Sequence, residues 1–221
     1  MRKMTMMLML SVVVLLVAAT AQAAYITGVT ATASNTEGGF GAFNVVNGSG
    51  FNETAGTHTN AYNGGPQVGN IYANWRTGGM VDEAGIATVW IKFDLGAAYD
   101  LTSMQIWNMN RGVNPDLTEH GIAQMDVEVS LNGTDWTEVL TDQTLTEAPG
   151  LSTYTGETVA LSATNIRYVR FQVDSAFGRG GLTGSVGFQA GLSEVRFVPE
   201  PATMSLLGIG GLLALVRRRR K

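Results

Sequence analysis

Gln124-Met125-Asp126-Val127-Glu128-Val129-Ser130-Leu131, followed by Asn132-Gly133-Thr134-Asp135-Trp136, decides how the rest of the chain is read. Met125, Val127, Val129 and Leu131 alternate with Asp126, Glu128 and Ser130, the two-residue period of a strand with one buried and one wet face. Leu131-Asn132-Gly133-Thr134 then supplies hairpin chemistry, because Asn and Gly accept the positive φ that a tight connection requires. Trp136–Leu140 is the expected return strand.

The same period recurs on both sides. In Thr88–Gly96, Val89, Ile91, Phe93 and Leu95 oppose Lys92 and Asp94; in Ile166–Asp174, Val169, Phe171 and Val173 oppose Arg170 and Gln172. Further strands are expected at Ile26–Ala33, Leu101–Trp107, Glu157–Leu161 and Leu192–Val198, with a break at Ala148-Pro149-Gly150. About eight short strands, Gly-rich connections and no long amphipathic helix predict an all-β fold, a two-sheet β-sandwich. Ser34–Asn70 and Asp174–Gly191 are too long for ordinary connections, and their aromatics Phe40, Phe43, Phe51, Tyr62, Phe177 and Phe188 argue for ordered, functional loops.

Both ends read as processing segments. Arg2 and Lys3 precede the apolar run Met6–Ala19, and Ala21-Gln22-Ala23 is the small-x-small pattern a signal peptidase reads, so residues 1–23 are expected to be a signal peptide. At the other end, Pro199-Glu200-Pro201 is followed by an apolar stretch, Ala202–Val216, and by Arg217, Arg218, Arg219, Arg220 and Lys221. As a helix the apolar stretch reaches about 22 Å, short of the roughly 30 Å hydrocarbon core. The basic cluster should remain cytoplasmic, which places the rest of the chain across the membrane.

Residues 24–198 between these segments suit one domain. Of 14 Lys and Arg, seven lie in the end segments, and of 18 Asp and Glu only Glu200 does, so the domain carries 7 − 17 = −10. An acidic surface of this size excludes nucleic acid as the expected partner. Cysteine is absent, so neither disulfides nor thiolate metal sites hold the fold.

No catalytic pattern stands out. His58 and His120 are the only histidines and form no metal-binding pair; there is no Gly-x-Ser-x-Gly elbow and no phosphate loop. Carboxylates are numerous enough for a two-carboxylate glycosidase, but Asp82 and Glu83 are adjacent in an expected loop and Asp126 and Glu128 share an exposed strand face, so solvation explains both pairs.

Two resemblances complete the reading. The ordered triplet, apolar stretch and basic cluster of residues 199–221 resemble the PEP-CTERM sorting signal of exported bacterial proteins. That resemblance implies cleavage by an exosortase-type enzyme, a precursor held transiently in the inner membrane by its C-terminal helix, and a mature form at the cell surface or secreted. The central domain resembles the discoidin, or F5/8 type C, domain, a jelly roll shared with family 32 carbohydrate-binding modules. The landmarks are Ala42-Phe43-Asn44-Val45-Val46-Asn47-Gly48, Asn74-Trp75, Trp90-Ile91-Lys92-Phe93-Asp94-Leu95-Gly96, the Val127–Trp136 hairpin, Arg167-Tyr168-Val169-Arg170-Phe171 and Gly191-Leu192-Ser193-Glu194-Val195-Arg196-Phe197.

The discoidin resemblance implies non-catalytic binding of a glycan or exopolysaccharide by loops at one end. Arg111, His120, Asn108 and Asn110 are the polar candidates, and Phe177, Arg179 and Phe188 are candidates for an opposite wall. Trp107 reads equally as core, and Asn110-Arg111-Gly112 as a surface turn. In many relatives a structural Ca²⁺ lies beneath the loops; carried over, its ligands are Glu194 and, in place of the usual Asp, Asn47. The competing reading gives Asn47 a turn hydrogen bond and pairs Glu194 with Arg196 or Arg170. The functional expectation is an exported carbohydrate- or matrix-binding module; the alternative is a structural protein of the extracellular matrix or biofilm, and a more remote one is a glycan hydrolase.

Overall fold

The computed structural model describes residues 25–61, 73–79, 83–112, 117–178 and 188–201. Of the two units into which the chain divides, Tyr25–Val198 is the one described here. The expected signal peptide, Ala202–Lys221 with its Arg217–Arg220 cluster, Tyr62 and Arg179 lie outside the described residues.

Nine strands occur among the described residues: β1 (Thr30–Ala33), β2 (Phe51–Asn52), β3 (Thr57–His58), β4 (Trp75–Arg76), β5 (Trp90–Asn108), β6 (Ile122–Ser130), β7 (Thr137–Thr144), β8 (Glu157–Ala176) and β9 (Gly191–Pro199). Among the described residues, helical structure is limited to single turns at Ala42–Val45, Glu83–Ile86 and Thr118–His120. Seven strands form one sheet in the order β4-β9-β5-β8-β6-β7 with β1 also on β5, while β2 and β3 form a separate hairpin.

Two pairs of segments expected as separate strands are continuous. Trp90–Leu95 runs on into Leu101–Asn108 as β5, and Glu157–Leu161 runs on into Ile166–Asp174 as β8. Register shifts between Asp94 and Ser103 mark where β5 bends, beside Gly96 at φ +82°. Ile91–Asp94 has β1 on one edge and β8 on the other. Only the second half of β5 is therefore left to pair with β9, and the sheet folds over itself into the two layers of a jelly roll.

Alternation places the core as expected: Val89, Ile91, Phe93 and Leu95 are buried on one face of the strand, as are Met125, Val127, Val169, Phe171 and Val173. Phe93 meets Phe171 at 5.0 Å and Phe197 at 5.2 Å between ring centroids, joining β5, β8 and β9. Leu131 departs from its alternating set and is 53% exposed. The strand has already turned there: Ser130 Oγ accepts the Gly133 N–H at 2.9 Å, and Asn132 Oδ1 accepts the Thr134 and Asp135 N–H groups, each at 2.9 Å.

Candidate functional site

The end of the sandwich beyond Asn108 is organised by two amides. Asn108 donates to the carbonyls of Ile122 (2.8 Å) and Thr146 (3.1 Å), while its Oδ1 accepts the N–H groups of Met109 (3.0 Å) and Ile122 (2.9 Å). Asn110 Nδ2 donates to Leu151 O (2.8 Å), His58 O (3.1 Å) and Thr59 O (3.3 Å), and its backbone N–H donates to Ser193 Oγ (3.0 Å). Both residues are fully buried. An amide suits Asn108 because it donates and accepts at once and carries no charge into the interior; Asn110 uses only its donors, its Oδ1 having no partner among the described residues. These two expected ligand contacts therefore act as internal posts holding five chain segments together.

Backbones also close on one another here. Gly112 N–H donates to Asn60 O at 3.2 Å, and Asn60 Nδ2 reaches Gly150 O at 2.7 Å. A Cβ on Gly112 would lie 2.2 Å from the Gly150 carbonyl oxygen, so only glycine allows this approach.

Three basic side chains from separate segments meet beside the posts: Arg76 on β4, Arg111 after β5 and His120 in the Thr118–His120 turn, with 8%, 3% and 1% exposure. Arg76 Nη2 pairs with Glu37 Oε2 at 2.5 Å, its Nη1 approaches His120 Nδ1 at 3.5 Å, and its guanidinium carbon stands 4.3 Å from the Phe40 ring centre. Gln189 Nε2 holds the same Glu37 oxygen at 3.2 Å and donates to Thr77 O at 2.8 Å. Burial first, and then the charges of Arg76 and Arg111, lower the His120 pKa to about 4, which keeps the ring neutral. With Nδ1 turned to a guanidinium donor, we assign the ring hydrogen to Nε2.

Arg111 and His120 are thus brought together, and Arg76 joins them although the sequence reading did not single it out. The available signal was its position directly after the Asn74-Trp75 landmark. Phe177 is 37% exposed, and its N–H donates to Gly121 O at 3.1 Å, which places it beside the His120 turn. Phe188 is half-buried and packs against the core.

The pair proposed for calcium has other contacts. Asn47 Oδ1 accepts the Ser49 N–H at 2.7 Å in a local turn. Glu194 is 1% exposed and accepts from Arg196 Nε at 3.1 Å, while its Oε2 has no partner among the described residues. Burial pushes the Glu194 pKa up to about 8 against the pull of Arg196. Arg196 itself grips Glu53 with two bonds of 2.7 and 2.8 Å, lies 3.9 Å from the Phe51 ring centre, and comes within 3.8 Å of where a Gly48 Cβ would be. Calcium takes six to eight oxygens, charged ones for strong binding. Here the buried carboxylate already faces a guanidinium and the other named ligand is a neutral amide used in a turn. Apart from the orphaned Oε2, the donor set fits an internal ion pair rather than a divalent ion.

A different acidic group, Asp126, Asp142 and Asp174, has carboxylate oxygens within 4.8 Å of one another on the outer face of β6, β7 and β8. Burial and its acidic neighbours raise the Asp174 pKa. Away from the posts, an open groove of about 360 Å³ runs between the β6–β7 turn and Ala163–Ile166 of β8.

The described strands define a jelly-roll module, and comparison with known proteins gives its family. The F5/8 type C domain model matches residues 30–186, and the chain belongs to that family. The PEP-CTERM protein-sorting motif matches residues 197–221. No helix among the described residues is long and apolar enough to cross a membrane.

Among solved structures, a family 89 glycoside hydrolase from Clostridium perfringens aligns at 16% identity and a TM-score of 0.48, covering 81% of this chain but only 15% of its own. The family 32 module of Clostridium perfringens NanJ, in complex with galactose, aligns at 15% identity and 0.47, covering 78% of this chain and 96% of its own. A chitosan-binding module from a Paenibacillus chitosanase/glucanase aligns at 18% identity and 0.48, covering 78% and 96%. The family assignment rests on the domain match, not on these structures. No curated protein matches the chain.

Proposed function

We propose that this is an exported, non-catalytic module that binds a glycan or matrix component through its loop end and is sorted through the PEP-CTERM motif. The observation that carries the reading is the convergence of Arg76, from β4, with Arg111 and His120, from the segments after β5, on one end of the sandwich. Glu37 answers the charge of Arg76, and the grouping places guanidinium and imidazole donors, the kind that sugar hydroxyls accept, at one end of the domain. The domain is delimited as residues 24–198, preceded by a signal peptide and followed by the sorting segment, which an exosortase-type enzyme removes after the signal peptidase has acted.

The test is a glycan-array screen of the purified full chain in neutral detergent, run with calcium and again with chelator. Saturable binding to one sugar class, weakened by Arg111→Ala, supports the reading; silence across an array containing the producing cell's own exopolysaccharide overturns it. Chelator should leave binding unchanged, because Glu194 is held by Arg196 and Asn47 by its own turn. The internal use of Asn108 and Asn110 favours a second reading, a matrix spacer without a specific ligand, which predicts that silence.

A further inference from the structure

We infer that Arg196 performs, within this chain, the task that the discoidin resemblance gives to a structural calcium ion: its guanidinium fastens the β2–β3 hairpin to β9, so the hairpin keeps its place without a metal. The inference does not rest on the carbohydrate reading. β2 pairs with β3 in a sheet of its own, and among the described residues no ladder of hydrogen bonds joins β2 to the main sheet. Side chains make that connection instead. Phe51 of β2 meets the Trp107 ring edge-on at 4.8 Å between centroids, and Arg196 of β9 reaches both Phe51 and Glu53, the residue just past β2.

The guanidinium carbon lies 3.9 Å from the Phe51 ring centre and 5.4 Å from that of Tyr25. Nη1 and Nη2 donate to the two Glu53 oxygens at 2.8 and 2.7 Å, and Nε donates to Glu194 Oε1 at 3.1 Å. One cation thus holds three of the four oxygens of two carboxylates, one beside the hairpin and one on β9, and the forked pair with Glu53 fixes direction as well as distance. Side-chain exposure falls from 70% at Glu53 through 14% at Arg196 to 1% at Glu194, so the bridge runs from solvent into the interior. A calcium ion gathers six to eight oxygens. Here it would have to take those same oxygens from the guanidinium and then stand beside a fixed positive charge. Asn47, the other residue that the resemblance names, brings no charge and spends its Oδ1 on the Ser49 N–H at 2.7 Å.

Hydrogen exchange read by mass spectrometry tests this on the full chain in neutral detergent, with millimolar calcium and again with chelator. Peptides spanning residues 48–58 should exchange at the same rate in both. Glu53→Gln removes the charge of the fork at an exposed position and should speed that exchange about two- to fivefold, and Arg196→Met should speed it at least about fivefold. Combining Arg196→Met with Asn47→Asp supplies the carboxylate that the resemblance expects and removes the competing cation. Calcium should slow exchange over 48–58 in this double variant and raise its melting temperature, and should do neither in the unaltered chain. Slower exchange in calcium than in chelator in the unaltered chain overturns the inference, since a metal would then share the task. So does unchanged exchange in Arg196→Met, and so does a double variant indifferent to calcium. Should the Arg196 variants fail to fold, Glu53→Gln and the calcium comparison on the unaltered chain decide together: unchanged exchange in the first, or a calcium effect in the second, overturns it.

Discussion

Replacing Asn108 by alanine tests whether the loop end is built on its buried amides. The substitution removes four hydrogen bonds, two donated and two accepted, and strips both the N–H and the C=O of Ile122 of their partner at the first residue of β6. A neutral hydrogen bond contributes about 1 kcal/mol net, and a buried group left unsatisfied costs about 1–3 kcal/mol. Water entering the vacated space would recover part of this, so the expected loss is about 3–4 kcal/mol. For a domain of this size that lowers the melting temperature by roughly 6–15 °C. Asn108→Asp should be at least as damaging, because it keeps the acceptors, loses both donated bonds and buries a charge. Urea denaturation followed by tryptophan fluorescence measures both, since Trp107 is the preceding residue and is 1% exposed. A loss below about 1 kcal/mol in Asn108→Ala would refute the reasoning, as it would mean the four bonds are replaced by solvent at no cost.

Gly156→Ala should destabilise by at least about 2 kcal/mol in the same assay, because φ is +70° and the new Cβ would lie 2.5 Å from Ile106 O and 2.8 Å from the Trp107 ring. Arg196→Met should cost about 1–3 kcal/mol by leaving the buried Glu194 carboxyl without its hydrogen-bond partner, while the unaltered protein should melt at the same temperature in calcium and in chelator. His58 and His120 both have folded-state pKa values lowered by burial, His120 to about 4. The unfolded chain therefore takes up protons first, so this contribution to stability is present above about pH 6.5 and is lost as pH falls toward 4. A His120→Gln variant whose stability falls as steeply over that range would contradict the assignment. Intact-mass analysis of the extracellular form should find Met1–Ala23 and Arg217–Lys221 both absent; retention of Lys221 would defeat the processed-tail reading.

The strands were legible because a two-residue period leaves a local signature: Val127, Val129, Phe171 and Val173 announce their face wherever the strand sits in the sheet. The merging of Trp90–Leu95 with Leu101–Asn108 was not legible. Gly96 and the polar residues near it signal a turn, and only pairing with β8 keeps the intervening residues in a ladder. At the loop end, Arg111 and His120 were visible through a resemblance in motif order, but their burial was not, since it depends on Gly112 meeting Gly150 and Asn60 reaching across to the same glycine. Arg76 left no pattern of its own. Its partners Glu37, Phe40 and His120 lie 36 to 44 residues away in either direction, and contacts at that separation carry no period.

The course of β9 separates the two ends of the domain. Gly191 pairs with Arg76 and bridges to Gly121, so β9 begins at the basic cluster. Asn110 N–H reaches Ser193 Oγ near that start, and Thr102 Oγ1 reaches Val198 O near the other end at 3.4 Å, so β9 runs antiparallel to the second half of β5. The eight steps from Gly191 to Pro199 span roughly 27 Å at about 3.4 Å each. The residue at which the sorting match begins, Phe197, therefore lies six steps, roughly 20 Å, along β9 from Gly191. Ile26 N–H donates to Phe197 O, which brings the start of the described chain to that same far end. Processing at either terminus, as proposed above, would act on one end of the sandwich and leave the posts at Asn108 and Asn110 at the other.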